Sequence, residues 1–241
     1  MSTAAQSSSE PESLLADIAA LRRTVRRDRH AYWLPLLVFG VLALASAPFY
    51  VDPAGPDVLR APRQGPALTG LGGDLLRHST GIGWFWLAAL IGGFLVSLWW
   101  YRRHALRAGV QTPTRSYAKA GIAGVVVGLG LGPALGWLGT NAWSPLSDAS
   151  RSVLWPVSVL LGLGLAPLAV AGIGFLVLAR LERSRLLAVV AGAVLVTLLL
   201  GPVYVNTVFI GSAYGYLPVV IVPGLVLLAG GVAGLARQGR K

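Results

Sequence analysis

Apolar residues along this chain neither alternate nor keep to one helical face; they fill whole segments. Six runs contain no Asp, Glu, Lys, Arg or His: 33–50, 83–101, 120–138, 153–178, 186–205 and 217–235. Each approaches or exceeds the ~20 residues that an α-helix needs to cross a hydrocarbon core of ~30 Å. Unpaired backbone groups are too costly in lipid, so such runs must be helical. The pattern predicts an all-α, polytopic integral membrane protein: a bundle of six transmembrane helices spanning 32–236.

The charged residues between the runs predict the orientation. Arg22, Arg23, Arg26, Arg27 and Arg29 precede the first run, and Arg102, Arg103, Arg107, Arg115 and Lys119 follow the second. Arg180, Arg183 and Arg185 separate the fourth from the fifth, and Arg237, Arg240 and Lys241 follow the sixth. The basic residues of the intervening segments are only Arg60, Arg63, Arg77 and Arg151. Positively charged loops stay cytoplasmic, so both termini are expected inside. Trp33, Trp84, Trp86, Trp99, Trp100, Trp137 and Trp155 lie near the ends of runs and read as interfacial belts. The Ala45–Ser46–Ala47 triplet resembles a signal-cleavage site, but Pro48 would obstruct the cut, so the first run is read as a retained anchor.

Outside the bundle, residues 1–12 read as a disordered tail, and 237–241 as a short cytoplasmic tail. Between them and the first run, Leu14, Ile18, Leu21 and Val25 form one helical stripe, with a Ser9…Glu12 capping box ahead of it. This predicts a cytoplasmic amphipathic helix over 13–31. Its arginines suit anionic phospholipid headgroups, and Arg102, Arg103, Arg107 and Arg115 suit either the same lipids or an acidic partner surface.

Composition sharpens this picture. Charged residues make up 12% of the chain, about half the share in a soluble domain, and mean hydropathy is +0.68. The net charge of +11 is a topology signal here, not a nucleic-acid one, because the arginines flank apolar runs. With no cysteine, thiolate chemistry and disulfides are excluded. The excess of Ala, Gly, Leu and Arg suggests a GC-rich bacterial genome, and hence the plasma membrane.

Candidate chemistry is sparse. Asp74 and His78, four apart in the long segment 51–81, could supply half of a metal site, but no third ligand is evident, so no metal or cofactor is expected. Gly124, Gly128, Gly132 and Gly136 recur every four residues in the third run. That spacing makes a groove for close helix packing. Shorter series at Ala89/Gly93/Ser97, Ala188/Gly192 and Gly230/Gly234 suggest the same. Pro133, Pro167 and Pro223 fall inside runs and are expected to kink their helices. The stretches VVGLGLGPALG (126–136) and LLGLGLAPLAV (160–170) echo one another, and interrupted helices in paired positions can mark transport sites. With no Asp, Glu, Lys, Arg or His in any run, and only weak polar groups such as Ser46, Ser97, Ser158 and Thr197, packing is the favoured reading.

These features point to a non-enzymatic, accessory or regulatory membrane component with no catalytic residue, working with another membrane protein. In gross plan the chain also resembles the six-span type-2 ABC permeases: similar size, both ends inside, and an amphipathic helix before the first span. That resemblance covers topology and carries over no residue. It implies a permease subunit for a neutral or lipophilic solute, coupled to an ATPase through 102–119. A third reading is a sensor whose 51–81 segment binds a ligand.

Overall fold

A computed structural model describes residues 32–51, 69–73, 76, 79–107, 159–208 and 213–239. All belong to one of the two units into which the chain divides, Tyr32–Lys241. The tail 1–12, the amphipathic helix 13–31, the third run 120–138 and residues 240–241 lie outside the described residues. The described chain is helical, with no strand. Its helices are α1 (Trp33–Ala45), the one-turn α2 (Thr69–Gly72), α3 (Ser79–Arg107), α4 (Ala166–Glu182), α5 (Arg185–Val208) and α6 (Leu217–Gly239). A 3₁₀ turn, Ala47–Tyr50, continues α1.

The pairs α1/α6, α4/α5 and α5/α6 run antiparallel, as their contacts along the length show. A Cβ placed on Gly234 would sit 3.1 Å from the Trp33 side chain, and one on Gly224 3.0 Å from Leu44. Between them Gly231 faces Leu37, and Gly40 of α1 faces Leu228. The α1–α6 seam is therefore close-packed along its whole length by glycines supplied from both helices. Gly230 turns instead to Val190 of α5, Gly201 of α5 meets Val219, and Gly172 of α4 meets Leu195. Without a side chain at these points the helix axes approach, and many small dispersion contacts accumulate. Gly192 faces open space, so the Ala188/Gly192 pair is not a packing groove.

Of the described helices, two are long and apolar enough to cross a membrane, over Thr80–Arg103 and Leu217–Arg237. Trp33–Ala45, Ala166–Arg180 and Arg185–Gly201 are shorter apolar helices. The clearest departure from expectation is in the fourth run. It is not one helix: residues 159–162 are helical, 163–164 turn, and α4 starts afresh at Ala166. Gly164 takes a left-handed φ of +66°. Pro167 stands in the first turn of the new helix, where a missing N–H costs nothing. Pro167 thus opens a helix instead of kinking one. Pro223 does lie inside a helix, α6. Pro133 is outside the described residues.

Candidate functional site

Two polar constructions stand out, at opposite ends of the packed helices. The first is the break itself. The one-turn helix α2 ends in Gly73, whose φ is +75°, and its backbone lies directly against the break. A Cβ on Gly73 would overlap the Gly162 carbonyl oxygen and the Gly164 nitrogen, and one on Gly164 would lie 2.5 Å from the Gly72 carbonyl oxygen. Two left-handed glycines thus let two main chains touch where any side chain would hold them apart. Breaking the helix frees backbone groups that must find partners. Part of this need is met locally, by Gly164 N donating to the Leu161 carbonyl (2.9 Å) and Leu165 N to that of Leu160 (3.1 Å). The Gly164 carbonyl accepts from the Tyr50 hydroxyl at 3.3 Å. That hydroxyl accepts in turn from Trp86 Nε1 at 3.4 Å.

Tyr50 and Trp86 are both fully buried. Both hydrogen bonds are long, so each contributes modestly; their larger effect is that the Trp86 indole N–H, the Tyr50 hydroxyl and the Gly164 carbonyl are each partnered in a buried setting. Trp86 is accordingly not an interfacial belt residue. Its ring packs edge-on against Phe85, whereas Trp84 and Trp99 on the same helix are 57% and 56% exposed, as a belt requires. The break is filled by backbone and aromatic side chains.

Three of the four weak polar groups are satisfied locally, and Ser158 lies outside the described residues. The hydroxyls of Ser46, Ser97 and Thr197 donate to the carbonyls of Ala43 (2.7 Å), Gly93 (2.7 Å) and Val194 (2.8 Å). Each is satisfied within its own chain segment, three or four residues back, and is not held out to a solute.

The second construction is at the other end, where Trp33 packs edge-on against Trp100 at 5.4 Å. Here α3 delivers exposed Arg102 and Arg103, α4 and its turn deliver Arg180 and Arg183, α5 begins with Arg185, and α6 ends near Arg237, all of them exposed. The α4–α5 turn is tight. Arg183 takes a left-handed φ of +52°. Ser184 N donates to the Ala179 carbonyl, and the Ser184 hydroxyl accepts from Leu187 N at 3.4 Å, capping α5. Among the described residues, one acid, Glu182, sits with these cations. Its Oε1 accepts from the Tyr101 hydroxyl at 3.1 Å, while Oε2 is buried with no hydrogen-bond partner. Burial pushes its carboxyl up to about 7, partly offset by the Tyr101 hydrogen bond.

Of the sequence-derived site residues, the structure therefore brings Arg102 and Arg103 together with the α4, α5 and α6 arginines. The side chains of Arg107 and Arg115, together with Arg22, Arg23, Arg26 and Arg27, lie outside what is described, as do Gly124, Gly128, Gly132, Gly136, Asp74 and His78. Sequence reading missed Tyr50, Gly73 and the buried role of Trp86. It also passed over Glu182, whose signal was a single acid in the arginine-rich ARLERSR. Comparison of the chain with known protein families, curated proteins and solved structures finds no match.

Proposed function

We propose that this chain is a non-enzymatic integral membrane component of the bacterial cytoplasmic membrane. In this reading it crosses six times with both termini cytoplasmic and acts as an accessory or regulatory subunit. The observation that carries the reading is the apolar exterior. Val41, Ile91, Leu95, Ile173, Val177, Val196, Leu200, Leu225 and Val232 are large, exposed and spread over every long helix. Soluble monomers do not expose apolar surface on that scale. Only 33% of the α3 window and 44% of the α6 window are buried, where the core helix of a soluble protein would be mostly buried. The gathering of exposed arginines at one end supports the orientation. The shorter helices are compatible with crossing: α1, Ser46 and the 3₁₀ turn together could cover roughly 29 Å.

The filled break and the self-satisfied hydroxyls favour the accessory reading. The permease reading retains one specific support, the discontinuity of the fourth run itself. Co-purification from native membranes in mild detergent, with mass spectrometry of what stays bound, separates them. The accessory reading expects a stoichiometric membrane-protein partner that is not an ATPase. A stoichiometric ATPase would replace it with the permease reading, and the chain alone would contradict both.

A further inference from the structure

An open groove of about 540 Å³ runs along the arginine end of α3, lined by Leu95, Leu98, Trp99, Arg102 and Arg103. Its chemistry is graded along the helix. Leu95 and Trp99 are more than half exposed, and the two arginines follow one turn further on. Seven residues separate Leu95 from Arg102, an axial distance of roughly 10 Å. The guanidinium of Arg103 lies over the Trp99 ring, 5.0 Å from its centroid, which fixes one cation at the level of the indole. Among the described residues no acid pairs with Arg102 or Arg103, and the two cations stand above an apolar slot.

We propose that this groove is a binding site for one acidic glycerophospholipid of the cytoplasmic leaflet. Arg102 and Arg103 hold the phosphodiester, Trp99 stands at the headgroup boundary, and an acyl chain lies along Leu95 and Leu98. Charge complementarity on a graded surface selects this occupant. An acidic peptide would leave the apolar slot empty, and the phosphodiester of a zwitterionic lipid already has its own headgroup cation beside it, which the two guanidiniums would repel, whereas that of an acidic lipid has none. The inference rests on the membrane reading, and its test separates the two.

The full chain is reconstituted in nanodiscs containing mainly phosphatidylcholine with a minor fraction of phosphatidylglycerol, and retained lipid is counted by native mass spectrometry. The wild type should enrich phosphatidylglycerol about tenfold over its bulk share. The R102Q/R103Q variant should fall to the bulk ratio, and R102Q alone should fall part of the way. R183Q/R237Q, which removes two exposed arginines of the same end outside the groove, should keep the enrichment. Equal retention of the two lipids by the wild type would overturn the proposal. So would persistence of the enrichment in R102Q/R103Q, or an equal loss in R183Q/R237Q, which would reduce it to diffuse charge. Release of the chain from vesicles by alkaline carbonate would instead overturn the membrane reading, and this site with it.

Discussion

At the scale of single residues, the glycines separate into those that need their missing side chain and those that do not. Gly164 combines a left-handed φ with a Cβ position 2.5 Å from the Gly72 carbonyl oxygen. G164A should therefore destabilise the protein by more than ~2 kcal/mol, since left-handed backbone alone costs an alanine about 1–2 kcal/mol. G192A, which meets nothing within 4 Å, should be neutral or slightly stabilising in the same thermal-unfolding assay. Y50F leaves the Gly164 carbonyl and Trp86 Nε1 without their shared partner. Its expected cost is about 1–3 kcal/mol, that of unsatisfied buried polar groups. Equal melting temperatures for Y50F and wild type would show that the hydroxyl is not needed.

Glu182 makes a pH prediction. Its carboxyl is raised to about 7 in the fold, by burial, from 4.5 when free. The folded state then holds the extra proton between these two values, so stability falls as pH rises through that window. E182Q, which mimics the neutral acid, should flatten the dependence of melting temperature on pH between 4.5 and 7. An unchanged slope would place the titrating group elsewhere.

At the scale of elements, the apolar runs made most helices legible, because a charge-free stretch of this length has few other structures open to it. Their ends were less legible. α3 begins at Ser79 and not at 83, since the polar residues before the run continue the helix without needing to be apolar. The fourth run misled for a definite reason. Hydropathy is blind to φ, and a left-handed glycine followed by a proline in the next helix's first turn reads like a kinked continuous span. LLGLGLAPLAV did mark an unusual backbone, while its echo VVGLGLGPALG lies outside the described residues. What fills the break, Gly73 and Tyr50, comes from segments some 90 to 115 residues earlier, and no local pattern could supply that pairing. Packing seams were half legible. Gly230 and Gly234 both make close contacts, yet with different neighbours, because successive four-residue steps drift around the helix. The α1–α6 seam gives the element-scale prediction. In G231A the new Cβ would lie 2.7 Å from the Leu37 side chain and 3.1 Å from its backbone nitrogen. The variant should lose about 1–3 kcal/mol through overpacking. G174A, with nothing within 4 Å, should gain a few tenths from helix propensity. If the two variants melt alike, the glycine seam does not hold α1 to α6.

For the whole molecule, the account joins two gradients. Apolar side chains face outward along the helices, and cations gather at one end. From Trp84 to Arg102 along α3 is roughly 27 Å, close to the ~30 Å of a hydrocarbon core, so the exposed indole and the guanidiniums would stand at opposite faces of one bilayer. The chain contains no cysteine, so single cysteines can be placed without background. The most direct test introduces R183C and R237C at the arginine end, and T80C and Y214C at the other. Each is labelled in intact cells with a membrane-impermeant maleimide that can reach the periplasmic side. T80C and Y214C should react in intact cells, whereas R183C and R237C should react only after the membrane is opened. Labelling of R183C and R237C from outside, or the same labelling of all four, would contradict a membrane-crossing bundle with its arginine end in the cytoplasm.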